Sequence, residues 1–225
     1  MRPLENGEHL TRPEFERRYD VMPAGIKCEL IDGVVYVSSP VKLEHSDPDS
    51  LLGMWLTLYA NATPGTRSNA NATLRLDEIA EPQPDQLLRV LPEGGGTSRM
   101  DEDGYLTGSA ELVVEVAASR ASYDLHQKKD LYLRHAVREY LVHVVHDAAV
   151  LWFALEEGDW VELEPDARGV VRSRVFPGLW LDTRALLEGD GARIERVLRR
   201  GIATKPHAAF VRDLKRAIAR SRRRR

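Results

Sequence analysis

The sequence predicts an α/β (α+β) fold: a mixed β-sheet core flanked by helices, with a C-terminal helical extension. Leu112-Val113-Val114-Glu115-Val116-Ala117 has the length and β-branched content of a buried strand. Helical periodicity follows over 122–135 and a second β-rich run over 139–145. A strand, a helix and a strand in that order make a parallel crossover. Residues 27–38 alternate around Asp32-Gly33, the signal of a two-residue antiparallel hairpin, so the sheet is mixed.

The remaining elements follow from local chemistry. Thr11-Arg12-Pro13-Glu14 has capping-box spacing and predicts a short helix to about residue 19. The hairpin strands are 29–31 and 34–37. After Pro40 the period changes: Leu51, Leu52, Trp55, Leu58 and Tyr59 share one helical face, and Pro64-Gly65 stops the helix. Segments 73–76 and 86–90 read as strands. Residues 92–108 are glycine-rich, charged and poor in apolar side chains, which predicts a loop. Its Gly94-Gly95-Gly96 lacks the Gly-Lys-Ser/Thr ending of a phosphate-cradling loop. Further strands are expected at 149–155, 160–163 and 170–175, with His146-Asp147 as a turn. A short capped helix at 182–187 precedes two more at 190–201 and 207–220, broken near Pro206. No internal repeat is present.

With 225 residues the chain buries one substantial core and an appended helical piece, and 43% hydrophobic with 30% charged residues is the composition of a soluble globular protein. No apolar stretch approaches the ~18 residues of a membrane span, and the N-terminus has no hydrophobic signal region. The single cysteine, Cys28, excludes an internal disulfide framework and cannot by itself build a thiolate metal site. A cytoplasmic, reducing location is expected. The net charge of −3 is uneven: residues 200–225 hold ten of the 32 basic side chains and one of the 35 acidic ones. The rest of the chain therefore carries 22 bases against 34 acids, a net of −12. The basic tail is either a phosphate-holding arm acting through counterion release or a solvated end.

Glu115 carries the most chemical information. An unpaired carboxylate in so apolar a strand loses several kcal/mol of hydration and needs a cation or a proton. Alternation puts Glu111, Val113, Glu115 and Ala117 on one side of the strand. Asp124, Lys128 and Tyr132 fall at four-residue spacing along the following helix. Upstream, Pro84-Asp85 stands at the mouth of another short apolar run. Phosphodiester cleavage by water needs a nucleophile, charge neutralisation at phosphorus and help for the departing oxygen, and Mg²⁺ on hard oxygen ligands supplies all three. Asp85 and Glu115 are the expected metal pair, with the Val116 carbonyl as a third ligand. Lys128 would orient water or stabilise phosphate charge, and Glu29 would be a further ligand or a water-activating base.

Each assignment has a plainer alternative. Glu115 could form a structural ion pair with Lys128 or Arg120. Asp124 and Lys128 could be an ordinary surface pair, and Asp85 could simply begin a strand or cap a turn. His45 fits core packing or a cap better than a phosphate contact. His143 and His146 project to opposite faces and make a poor metal pair, while Tyr132, Tyr140 and Trp152 read as core.

Several segments resemble the Uma-two-type restriction endonucleases of the PD-(D/E)XK nuclease superfamily. Glu29-Leu30-Ile31-Asp32-Gly33 with Pro40 and His45 is similar to the family's opening, and Pro84-Asp85 to its "PD". Val114-Glu115-Val116 followed by Asp124, Lys128 and Tyr132 resembles its second block. Val137-Arg138-Glu139-Tyr140 and Phe176-Pro177-Gly178-Leu179-Trp180-Leu181-Asp182 resemble later segments. The resemblance spans about residues 25–188. It implies a restriction-endonuclease-like domain there, a helical lead-in over 1–24 and a helical extension with a basic tail over 189–225. It also implies Mg²⁺ (or Mn²⁺) at Asp85 and Glu115, Lys128 as catalytic lysine, Glu29 as accessory and DNA as substrate. Two departures stand out. Ala117 occupies the superfamily's usual lysine position, which the family moves to the helix, where Lys128 and Lys129 both stand. Ala118-Ser119-Arg120 replaces Ser-Pro-Ser. The competing expectations are a catalytically inactive nuclease-fold module for DNA or protein binding, and a hydrolase of other phosphate esters. A homodimer is expected, because cutting two strands favours paired subunits.

Overall fold

The computed structural model describes residues 2–38, 40–118 and 123–223, leaving aside the side chains of residues 123 and 124. The chain opens with helix α1 (Arg12–Tyr19), the hairpin β1 (Cys28–Ile31) and β2 (Val34–Val37), the long helix α2 (Leu43–Ala62) and strand β3 (Thr66–Ala70). Strands β4 (Leu74–Arg75), β5 (Gln86–Val90), β6 (Arg99–Met100), β7 (Leu106–Thr107) and β8 (Leu112–Ala117) come next. A π-helical turn over Tyr123–Lys128 runs into α3 (Lys129–Arg134). Strands β9 (Glu139–Val144), β10 (Ala149–Glu156), β11 (Asp159–Glu162), β12 (Val170–Arg172) and β13 (Trp180–Asp182) follow, then α4 (Thr183–Leu187), α5 (Gly191–Ile202) and α6 (Lys205–Arg222).

The main sheet has the order β11-β10-β9-β8-β5-β3. β8 and β9 pair in parallel across the helical crossover, and the other neighbours pair antiparallel, so the sheet is mixed as expected. All residues of β5, β8 and β9 are buried, because both faces of the sheet are covered. Leu112, Val114 and Val116 face a core shared with Trp55, Tyr59, Trp152 and the apolar side of α5. Val113 and Ala117 face a second core built on Tyr132, Tyr140 and Phe153. Trp55 meets Trp152 edge-on at 5.6 Å and donates its Nε1–H to the Trp180 carbonyl. Burying each such side chain contributes about 1.5–3 kcal/mol.

The hairpin forms where its turn residues dictate. Asp32 and Gly33 both have positive φ, 51° and 77°, as the tight turn requires. The resulting register sets Glu29 opposite Tyr36 and Ile31 opposite Val34. Phe15 of α1 packs with Cys28, Leu30 and Val35 behind it. A Cβ on Gly33 would lie 3.4 Å from the Leu10 carbonyl oxygen. Gly33→Ala is therefore expected to cost about 1–2 kcal/mol in urea unfolding, the strain of a left-handed side chain.

Four expectations need correction. Strand β3, Thr-Arg-Ser-Asn-Ala, was not foreseen, because an edge strand held by backbone pairing to β5 needs no apolar alternation. The 92–108 segment is not all loop: it holds a 3₁₀ turn at Pro92–Gly94 and the strands β6 and β7, which form a small sheet of order β4-β7-β6. His45, expected to precede the long helix, lies inside it: α2 begins at Leu43 and runs through Pro48, so its first turns carry His45 and Asp49 toward the sheet. Thr11 makes no side-chain cap bond, and Glu14 instead accepts from the Arg17 guanidinium. The break between the last two helices falls at Ala203–Thr204, just ahead of Pro206, which itself sits in the first turn of α6, where a missing N–H costs nothing. Among the described residues no helix is long and apolar enough to cross a membrane.

Candidate active site

At the centre of the sheet Glu115, only 2% exposed, projects from β8 toward the crossover helix. Its Oε1 accepts from Lys128 Nζ at 3.0 Å and from the Tyr132 hydroxyl at 3.0 Å. The same Lys128 ammonium, 3% exposed, lies 3.0 Å from Glu29 Oε1. Glu29 is fixed in turn by the Gln83 backbone N–H, which donates to Oε1 at 2.7 Å. One buried ammonium is thus shared by two buried carboxylates from different strands. Burial, and then the Glu115 charge, raise the Tyr132 hydroxyl well above its ordinary value, so it remains a donor.

The helical geometry differs from a plain α-helix. Residues 123–128 make a π turn, so Asp124 and Lys128 do not stand one α-turn apart on a stripe; the side chain of Asp124 lies outside the described residues, as does Arg120. π turns are rare and recur at functional sites. Tyr36 of the hairpin donates its hydroxyl to Gln127 Oε1 at 2.7 Å, tying the turn to β2, where Tyr36 stands opposite Glu29. Lys129 points elsewhere, its ammonium 3.6 Å from the centre of the Phe153 ring. Of the two lysines, Lys128 is the one among the carboxylates.

Asp85 ends the loop before β5. Gln86 pairs with Val114, and continuing that antiparallel register by one residue sets Asp85 across from Glu115. Side chains so placed have Cβ atoms about 4.5–5.5 Å apart. Asp85 Oδ2 accepts the Val116 N–H at 2.9 Å and lies 3.2 Å from His45 Nε2. Its Oδ1 lies 3.4 Å from Lys27 Nζ, which also reaches Asn71 Oδ1 at 3.2 Å. Burial raises the Asp85 carboxyl, but the His45 hydrogen bond and the charges of Lys27 and Lys128 outweigh it and hold the group well below the usual carboxylate range. The bond to Asp85 raises His45 above an ordinary imidazole, against the opposing effect of its burial. Asp49, one turn after His45, accepts from Gln86 Nε2 at 2.9 Å, and burial pushes its carboxyl up.

The structure therefore gathers Glu29, Asp85, Glu115 and Lys128. Val116 meets Asp85 through its N–H. His143 is buried and His146 exposed, and burial lowers the His143 imidazole. Tyr140 and Trp152 are core. Sequence reasoning gave little weight to His45 and none to Lys27, and it set Tyr132 on the stripe of Asp124 and Lys128 but gave it no role beyond core. The signal available for Tyr132 was its four-residue spacing from Lys128; for His45 it was an acid, Asp49, one turn ahead. Among the described residues no three His, Cys, Asp or Glu side chains converge as an all-protein metal cage. Mg²⁺ asks for less, one or two carboxylates and several waters. The all-oxygen pair Asp85 and Glu115, set across from one another, fits that demand.

The family model Uma2, described as "Putative restriction endonuclease", matches residues 12–184. The chain belongs to the Uma2 family. The Uma2 match contains Glu29, Asp85, Glu115 and Lys128 and ends before α5 and α6. A solved structure described as a "putative nuclease belonging to DUF820", from Anabaena variabilis ATCC 29413, superposes with a TM-score of 0.62 at 14% identity. The similarity covers 77% of this chain and 97% of that one, and at such identity it establishes the shared fold, a mixed sheet flanked by helices. No curated protein matches the chain.

Proposed function

We propose that this Uma2 chain is a metal-dependent endodeoxyribonuclease that hydrolyses DNA phosphodiester bonds. The observation that carries the reading is the sharing of one buried ammonium, Lys128, between Glu29 and Glu115, directly beside Asp85. A site where buried carboxylates outnumber the cation invites further positive charge. Asp85 and Glu115 are the residues that would hold Mg²⁺, or Mn²⁺ in its place. Bound there, the ion supplies charge neutralisation at the phosphate and acidity for water.

The chain's own groups have separable tasks. His45 and Lys27 keep Asp85 ionised at neutral pH. Tyr132 fixes the Glu115 carboxylate. Glu29 holds Lys128 in place, and the Lys128 ammonium orients the attacking water or stabilises charge on the phosphate oxygens. DNA as the substrate class follows from the family description, which names restriction endonucleases.

The contrasting reading is a nuclease fold without catalysis, and one observation favours it: Lys128 and His45 already balance Glu115 and Asp85 in part, as a structural network would. Incubating the pure protein with supercoiled plasmid and Mg²⁺ or Mn²⁺ separates the two. Nicking and linearisation by the wild type are expected, with none from Glu115→Gln. Calorimetric titration with Mg²⁺ should give binding heat that Glu115→Gln loses. No cutting of duplex or single-stranded DNA, together with no metal heat, would leave the non-catalytic reading standing.

A further inference from the structure

β3 and β5 set two arginines side by side at the open edge of the main sheet. Arg67 pairs directly with Arg89 in the antiparallel register. Like charges directly opposite on neighbouring strands repel. Neither guanidinium makes an ion pair among the described residues. Arg89 is only 8% exposed, and its single hydrogen bond runs from Nε to Asn69 Oδ1 at 3.2 Å. Burial, and then the charge of Arg67, depress the Arg89 guanidinium below its usual value, while Glu111 and Glu93 pull the other way without pairing with it. A buried cation normally has a partner. A buried one beside an exposed like charge, with no ion pair to either, points to an anion that comes from outside.

The surroundings name its chemistry. Alternation puts Arg67, Asn69 and Arg89 on the sheet face opposite α2, since Ser68 meets Thr57 of that helix on the other side. Arg89 stands four residues along from Asp85, roughly 13 Å at ~3.3 Å per residue. That span is about four nucleotide steps at ~3.4 Å per step of a duplex axis. α6 docks at the same end of β3 but on the α2 side, with Leu214 in the core that holds Trp55 and Tyr59; a Cβ on Gly65 would lie 3.0 Å from Ile218 and 3.5 Å from Leu214. This helix exposes Arg212, Lys215, Arg216, Arg220 and Arg222. The arginine pair thus shares its face of the sheet with Asp85 and Glu115, while the basic helix lies on the opposite side.

We propose that Arg67 and Arg89 form a phosphate-binding subsite for the DNA backbone at the edge of the sheet. The inference rests on the nuclease reading for its ligand but is tested without cleavage. Arg67 and Arg89 grip one or two phosphates of the strand whose scissile bond lies at Asp85 and Glu115. They position the duplex and carry no base specificity.

The experiment is fluorescence anisotropy of a short fluorescein-labelled DNA duplex in EDTA, at several salt concentrations. Wild type, Arg67→Gln, the double variant Arg67→Gln/Arg89→Gln and the control Arg168→Gln are compared. The log–log salt slope is expected to fall by about 0.9 for each arginine removed. Binding by the double variant should weaken by at least about ten-fold, with the control unchanged. Because Arg67 is exposed and repels Arg89, Arg67→Gln should melt no lower than wild type while binding less, which a purely structural role would not produce. Equal affinity and slope in wild type and the arginine variants would overturn the subsite. If plasmid cutting persists in those variants, the nuclease reading survives that result. No duplex binding by the wild type at low salt would overturn the subsite as well.

Discussion

Lys128→Met is expected to lower the unfolding free energy by about 3–5 kcal/mol, read as a fall in the urea midpoint. The substitution keeps the length and apolar stem of the side chain but removes the ammonium that lies 3.0 Å from both Glu115 and Glu29. Both carboxylates are almost fully buried, so water replaces the lost cation poorly. Breaking a buried pair costs more than never having had it, because the surviving charge keeps its desolvation penalty. Adding Glu29→Gln and Glu115→Gln to Lys128→Met should therefore recover much of the loss. A loss below about 1 kcal/mol for Lys128→Met alone, in the range of exposed pairs, would show that the two carboxylates do not depend on the ammonium and would overturn this expectation. Tyr132→Phe removes one hydrogen bond to Glu115 and should cost only about 1–2 kcal/mol.

That contrast reflects what a single sequence can reveal. Glu115 was legible because a charge inside Leu-Val-Val-Glu-Val-Ala is anomalous on hydration grounds alone. The hairpin was legible because Asp32-Gly33 has one favoured turn, and the β8–β9 crossover because a strand, helix and strand leave few arrangements. Contacts between distant segments were not legible. His45 and Asp85 are separated by forty residues, and nothing local to either says that the first turn of α2 stands over the start of β5. β3 stayed hidden because its polar residues sit on an edge, where backbone pairing replaces apolar burial. The four-residue stripe of Asp124, Lys128 and Tyr132 assumed a regular α-helix. The π turn alters the first interval and keeps the second, which is the one that places Lys128 and Tyr132 together on Glu115.

Asp85→Asn is expected to reduce cleavage by at least about a thousand-fold, since a metal's electrostatic contribution to a transition state amounts to several kcal/mol and each 1.36 kcal/mol is a factor of ten. Asparagine is nearly isosteric and retains an oxygen to accept the Val116 N–H, so the strand junction should persist. The charge is what disappears, and the pH dependence of stability exposes it. A carboxyl held below its ordinary value contributes stability that is present above the unfolded pKa of about 3.9 and is lost as pH falls through the folded value. An imidazole raised by its partner contributes stability that is present below about 6.5 and is lost as pH rises through the raised value. The Asp85–His45 pair is therefore at full strength between about pH 4 and 6.5, and Lys27 maintains part of the Asp85 contribution above that window. Urea unfolding of wild type and Asp85→Asn should differ most near pH 5, and the gap should narrow toward pH 9 as His45 loses its proton. His45→Gln should show the same narrowing with a smaller loss of cleavage, because it removes a positioning partner and leaves the carboxylate. A wild-type advantage that instead grew steadily from pH 5 to pH 9 would mean that His45 does not bear charge beside Asp85, and Lys27 and Lys128 would be its ionic support.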